Sequence, residues 1–384
     1  MSKPLQPFTP RLTLMQRSMA KRSMLLAGLA LAPSLAMADV GAARTIASGL
    51  ANPRGLNFAP NGDLYVAETG SGGTGACTPS PPQPQVNRCY GETGAVSRIL
   101  PDGGFERVIT GLPSLVLPTG TAEGGPVDVS FIGTAPYVTI GWGGNPALRA
   151  GLGDLSGMFG SLLHGTPSGR YRVVADVAQH EVNKNPAGGN IDSNPYGTVA
   201  LPGRRVVADA GANALIEVLA NGRTRTLAVL PSLPNIPPIP GPREPVPTSV
   251  SEGPDGALYV SLLTSFPFWQ GTASVLRVAS DGSSITPYVT GLTAVVDTAF
   301  DTGGALYILE VASGQAGPPP FNPGLGIGRL LRKCPGASPP EVLLAGLFFP
   351  SGIAIGPDGA AYLTNLGVSP TAGEVLRLPV TPCQ

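Results

Sequence analysis

Apolar residues recur along this chain in short runs separated by clusters of Gly, Pro, Asn and Asp, and one run–turn–run phrase is written six times. The clearest copies are NPRGLNFAPNGDLYVAETG from Asn52, VPTSVSEGPDGALYVSLLTS from Val246, VVDTAFDTGGALYILEVASG from Val295 and FPSGIAIGPDGAAYLTNLG from Phe349. Two looser copies begin at Gly125 and Asn194. Leu56 and Phe58 alternate with polar neighbours, a turn of the Asn61-Gly62 type follows, and Leu64-Tyr65-Val66-Ala67 resumes at once. Two β-prone runs joined by such a turn predict a hairpin.

A third run follows each hairpin, as in AVSRILPDG from Ala95 and SVLRVASDG from Ser274, with only the vaguer FGSLLHGTPSG from Phe159 in the second copy. A fourth run closes five of the six units, as in ERVITGL from Glu106 or EVLLAGL from Glu341. The sixth finds its fourth run at the other end of the chain, in ARTIASGL from Ala43. Four antiparallel strands per repeat describe propeller blades, and a displaced strand closes the ring while covering sheet edges. The expected fold is all-β, a six-bladed β-propeller of four-stranded antiparallel blades closed by Ala43–Leu50 joining the last blade. The alternative is an open solenoid of the same repeats.

Composition changes this picture little. The 53 Gly and 43 Pro among 384 residues fall between the apolar runs, where they serve turns. Lys and Arg together number 24, as do Asp and Glu, so no basic surface suggests nucleic acid as a partner. Residues 39–384 carry no linker and read as one domain, expected to be monomeric.

The first 38 residues stand apart. Arg11, Arg17, Lys21 and Arg22 precede the apolar stretch MLLAGLALAPSLA, and Ala36-Met37-Ala38 has the form of a cleavage site. This predicts a signal peptide and a soluble product in the periplasm or outside the cell. Four cysteines fit that compartment. Cys77 and Cys89 bracket a Pro-rich insertion, and their short separation favours a local bond. Cys334 and Cys383, near the ends of adjacent third strands, then pair by elimination. A metal site is the competing reading, although neither spacing matches a zinc motif.

Catalytic constellations are sparse. His164 and His180 are the two histidines, both expected in exposed loops, and no nucleophile motif accompanies either. One pattern remains. Glu68, Asp209, Glu310 and Asn365 end second strands in register, and Asp128 and Asp297 stand just before first strands. Glu68, Asp128, Asp209, Asp297 and Glu310 are therefore candidate metal ligands around one channel mouth, in oxygen chemistry suited to Ca²⁺. The competing reading has them capping turns through backbone N–H groups. Trp142, with Phe266, Phe268 and Trp269 of the loop SFPFWQG, is a candidate ligand surface.

The strings GLANPRGLNFAPNGDLYVAETG, CYGETGAVSRI, IDSNPYG and PTSVSEGPDGALYVSLLTSFPF resemble the ScyD/ScyE family of exported propeller proteins, from about Arg44 to Leu378. The PDGALYV element is shared with many NHL-like and lactonase-like propellers. The resemblance implies an exported propeller and brings no catalytic residues with it. Two functions follow as expectations. One is a binding module or scaffold for a small molecule or protein; the other is a calcium-dependent, lactonase-like hydrolase.

Overall fold

The computed structural model describes residues 43–236, 241–313, 325–336 and 339–383. The expected signal peptide lies outside them. Strands dominate, with one α-helix, Val177–Lys184, and two short 3₁₀ turns among the described residues. Strands come in consecutive antiparallel sets, because each turn signal reverses the chain and the next apolar run pairs with the last.

Position in a set decides burial. Second strands such as Leu64–Glu68 and Leu258–Leu262 are buried along their whole length. Fourth strands such as Ile285–Leu292 and Glu341–Phe348 bury only scattered positions. Apolar clusters fill the spaces between neighbouring sheets. One unites Ala47 and Leu50 of the first strand with Leu56 and Val66 of the next sheet and Ala354 and Val375 of the last.

The N-terminal strand Arg44–Leu50 completes the C-terminal sheet, where it pairs antiparallel with Gly373–Leu378. Thr45 Oγ1 donates to Glu374 Oε2 at 2.9 Å across 329 residues of sequence. The two ends also meet at the centre: Ser351 Oγ donates to the Pro53 carbonyl at 2.7 Å and Thr364 Oγ1 to that of Arg54.

Six separate four-stranded sheets are not what forms. Four sheets have four strands and a fifth has nine. The strands Asn87–Ile99 and Phe105–Val116 run further than their apolar cores predict. Their far ends pair with Cys77–Pro79 and, through Leu115 and Val116, with Gly124 and Ala122 of the strand Ala122–Ile132. A tight turn joins the last two strands, with the Leu117 N–H donating to the Thr121 carbonyl at 2.9 Å. The first two repeats thus share one continuous sheet.

Both cysteine pairs are disulfides, Cys77–Cys89 and Cys334–Cys383. Cys77 and Cys89 face each other directly across paired strands. No helix among the described residues is long and apolar enough to cross a membrane.

Candidate functional site

The second-strand carboxylates serve a repeated local task. Glu68 Oε2 accepts the Ala51 N–H at 2.7 Å, Glu310 Oε1 accepts that of Thr293 at 2.7 Å, and Asn365 Oδ1 accepts that of Phe348 at 2.8 Å. In each case the residue that follows the donor has a positive φ: Asn52 at 50°, Ala294 at 47° and Phe349 at 45°. Such a backbone is unfavourable for a non-glycine residue, so each acceptor clamps the strained corner by which the chain re-enters the centre. Asp209 accepts the Asn194 N–H at 2.6 Å and the Ser193 hydroxyl, holding the equivalent entry of its repeat without a positive-φ residue there. Arginines complete two of the clamps, Arg107 on Glu68 at 2.8 Å and Arg329 on Glu310 at 2.5 Å.

Asp128 and Asp297 lie within first strands and not before them. Each occupies a break in register, between Pro126 and Asp128 in one strand and between Val295 and Asp297 in the other. Asp128 accepts the N–H of Val129 at 2.8 Å and of Thr198 at 2.7 Å. Asp297 accepts those of Thr298 at 2.7 Å and Ile353 at 2.8 Å. Both therefore strap their own strand to the first strand of the following sheet. Burial raises both carboxyls, Asp297 to about 6, and the charge of Asp297 raises Asp128 further.

These five carboxylates do not gather into one ring. Among the described residues no three His, Cys, Asp or Glu side chains come together so as to hold a metal ion. Calcium asks for about six to eight oxygen ligands. The carboxylate oxygens here already accept backbone N–H, hydroxyl or guanidinium groups, so the set does not fit a calcium cage.

The other candidates also move. Trp142 is no surface residue: it is buried against Phe159, their ring centroids 5.5 Å apart. Phe266 is exposed, with its ring 5.9 Å from that of the half-buried Phe268, and Trp269 is half-buried in the same loop. His164 is in the strand Ser161–Gly165, stacked on Tyr137 at 4.8 Å. His180 is buried on the helix, between Thr224 Oγ1 at 3.0 Å and Thr226 Oγ1 at 2.8 Å. The helix was missed because its start signal lies inside a strand-like run: Asp176 ends the strand RVVAD and also caps the Gln179 N–H.

Asp128, Asp297 and Tyr196 meet Thr248 and Ser351 around a small void of about 10 Å³. On one side is a polar recess with Ser130, Ser251 and Glu252 in its walls. On the other is a cavity of about 240 Å³, bounded by Arg54, Thr69, Glu123, Val127 and Tyr196 and roofed by Pro81 and Pro82 of the disulfide-bounded insertion. Arg88, at the base of that insertion beside Cys89, lines it as well.

Arg88 is almost fully buried, 2% exposed. Its Nη1 donates to the Trp142 carbonyl at 2.6 Å and its Nη2 to that of Gly143 at 2.8 Å, while the guanidinium carbon sits 4.6 Å from the centre of the Trp142 ring. The opposite edge of this segment is held by Asn194 Oδ1, which accepts the Trp142 N–H, and Asp192 Oδ1, which accepts that of Gly144 at 2.7 Å. Gly143 and Gly144 have φ values of 65° and 119°, a backbone that glycine allows. Burial lowers the Arg88 pKa to about 10, against the opposing pull of Glu123 and Asp192. Arg54 donates to the Ala122 carbonyl at 2.7 Å and weakly to Thr69 Oγ1. Among the described residues neither arginine has a carboxylate at ion-pair distance. Three buried polar atoms here lack a partner: Arg88 Nε, Glu123 Oε2 and Trp142 Nε1.

Sequence reasoning missed this cavity. Two of its walls were nevertheless in view, as the Pro-rich insertion between Cys77 and Cys89 and as IDSNPYG, which supplies Asp192, Asn194 and Tyr196. Nothing in either string shows that they converge.

No protein-family model matches the chain, and no curated protein does. Solved structures do resemble it. A glucose dehydrogenase is 16% identical, with 88% of this chain and 100% of that one covered at a TM-score of 0.51. A structural-genomics protein of unknown function from Bacteroides thetaiotaomicron VPI-5482 is 11% identical, with 88% and 76% covered and a TM-score of 0.51. Streptogramin B lyase is 13% identical, with 88% and 98% covered and a TM-score of 0.45. At such identities the likeness is one of fold alone, and that to the first two agrees with the strand topology: the chain is a β-propeller.

Proposed function

We propose that this chain is an exported, monomeric, ScyD/ScyE-like binding propeller whose cavity beside Arg54 and Arg88 receives a small molecule. The observation that carries this reading is the clustering of unpartnered polar atoms around one cavity. Buried polar groups are nearly always satisfied; two exceptions, Arg88 Nε and Glu123 Oε2, belong to residues lining this cavity, and a third, Trp142 Nε1, to the adjoining recess, which suits a ligand site.

The propeller is read as a six-bladed ring. The nine-stranded sheet divides at the Leu117–Thr121 turn into two blades. First strands neighbour one another in a circle, beginning with Pro53–Phe58 beside Ala122–Ile132 and ending with Gly352–Ile355 beside Pro53–Phe58. Export is supported by the two disulfides, which need an oxidising compartment. A binding role suits the site better than metal-assisted hydrolysis, because the carboxylates act as backbone clamps.

The test is a fragment screen by ligand-observed NMR on wild-type protein and on Pro82→Trp. Pro82 is exposed at the cavity rim, so the bulky residue obstructs entry without burdening the core. Fragments that bind the wild type should lose at least tenfold in affinity for the variant. Equal binding to both proteins, or no binding at all, would sink the reading.

A further inference from the structure

The chemistry of the cavity wall goes further than the existence of a site, although it rests on the binding role just proposed. Two guanidinium groups line one cavity, and both spend their hydrogen bonds on neutral acceptors. An uncompensated buried charge is costly, and proteins ordinarily pair it with a carboxylate. Arg88 is paired instead with carbonyls and an aromatic face, and its Nε–H has no acceptor. The charges of Glu123 and Asp192 act on Arg88 only from beyond ion-pair distance, so there is room for an anion in direct contact.

Glu123 adds a second constraint. Its Oε1 accepts from Ser80 Oγ at 2.9 Å, while its buried Oε2 accepts nothing. A ligand that met the arginines with a carboxylate alone would leave this oxygen unsatisfied. One that also carried a hydrogen-bond donor would satisfy both sides of the cavity. Pro81, Pro82 and Val127 give the remaining wall an apolar character. The adjoining recess of about 170 Å³, which shares Pro81, Arg88 and Gly143 with the main cavity, extends the available space.

We propose that the cavity binds a small organic acid with a hydroxyl or amino group beside its carboxylate and an apolar body. The carboxylate lies between Arg54 and Arg88, the neighbouring donor faces Glu123 Oε2, and the apolar part packs on the proline roof. Carboxylate recognition by planar guanidinium groups is directional as well as strong, so an uncharged isostere should be discriminated against.

Calorimetric titration of the full-length exported protein with mandelate, and separately with mandelamide, tests this. Mandelate should bind at least tenfold more tightly than its amide, and Arg54→Gln should weaken mandelate binding by tenfold or more. Equal affinity for acid and amide, lost in Pro82→Trp, would overturn the anion assignment and leave the binding role standing. Mandelate binding untouched by Arg54→Gln would place the acid elsewhere and also overturn it. Failure of both compounds, together with a fragment screen that finds nothing, would remove the binding role with it. Should Arg54→Gln fold poorly, the acid–amide comparison on wild-type protein decides alone.

Discussion

Asp128 and Asp297 hold equivalent posts in the channel, each strapping its strand to the next sheet, and the charge of one raises the pKa of the other. Tyr196 and Ser249 are close enough to interact with this pair, and Arg54 acts on Tyr196. Two carboxylates that serve as structural straps are thus held where ionisation is unfavourable.

The consequence is an unusual dependence of stability on pH. Burial raises Asp297 and Asp209 to about 6, and Glu181, in addition pressed by the charges of Asp209 and Asp192, to about 7. Between the unfolded carboxyl range near pH 4 and these values, the folded state binds more protons than the unfolded state. Stability therefore falls as pH rises through that window and levels off above it. Melting temperature should increase when pH is lowered from 7.5 to 5. Replacing Asp297 by Asn should flatten part of the profile, a contribution on the order of 1–3 kcal/mol for a two-unit shift. A melting temperature that falls steadily over that range would contradict the buried-carboxyl account. Below about pH 4 the trend reverses, because Asp255 and Asp358 are held low by their hydrogen bonds to Arg277 and Arg377 and lose those pairings on protonation.

The N-terminal strand supplies a second prediction. Leu50 is fully buried with Leu56, Val66 and Val375, so it joins the two ends of the chain through the core. Leu50→Ala should destabilise the protein by about 3 kcal/mol. Because the strand pairs with residues more than 300 positions away, the loss should appear as one shifted cooperative transition. Urea unfolding followed by both far-ultraviolet circular dichroism and fluorescence checks this. A separate early transition confined to one probe would mean that the strand is an appendage.

The sequence was most informative where local chemistry and long-range packing agree. The Asn61-Gly62 and Asp255-Gly256 turns and the runs beside them form hairpins because nothing competes with that outcome. The displaced strand was legible because its partner was missing from an otherwise regular repeat. The continuous nine-stranded sheet was not, since it depends on how far Asn87–Ile99 and Phe105–Val116 extend beyond their apolar cores. The cavity was hidden for a different reason. Arg54, Arg88, Glu123 and Tyr196 are ordinary residues in separate segments, and only the packing of neighbouring sheets brings them to one place.

A third prediction separates clamp from ligand at Glu310. Its carboxylate is buried, accepts the Thr293 N–H and pairs with Arg329. Removing it with Glu310→Ala leaves an unpaired guanidinium and an unsatisfied N–H at a corner where Ala294 has positive φ. The expected loss is roughly 3–5 kcal/mol, independent of added calcium. A calcium-dependent melting temperature in the wild type that vanishes in this variant would restore the ligand reading.

Trp142 gives a fourth. Its ring packs on Phe159 beneath the Arg88 guanidinium, but its Nε1–H meets no acceptor. Trp142→Phe removes only an unsatisfied donor and some area, so it should cost less than about 2 kcal/mol. Trp142→Ala opens a hole under Arg88 and should cost about 3–5 kcal/mol. Chemical denaturation of the pair measures the difference. Equal losses would mean that the indole N–H has a partner after all.

The last prediction concerns the disulfide that anchors the cavity roof. Cys77 and Cys89 close a loop with a sequence separation of 12, which contains Pro81 and Pro82 and ends beside Arg88. Loop-entropy reasoning gives such a bond about 3 kcal/mol of stabilisation. Its effect on binding should be larger in proportion, because freeing the roof restores mobility to the segment that fixes Arg88 over Trp142. The double variant Cys77→Ser with Cys89→Ser should remain folded and melt a few degrees lower, yet lose at least tenfold in affinity for any ligand of the cavity. The equivalent pair of substitutions at Cys334 and Cys383, which lie away from that cavity, should lower stability and leave affinity unchanged. If both double variants bind as well as the wild type, the proline insertion is not part of the site. If both lose affinity equally, the loss reports general loosening of the propeller and not the cavity wall.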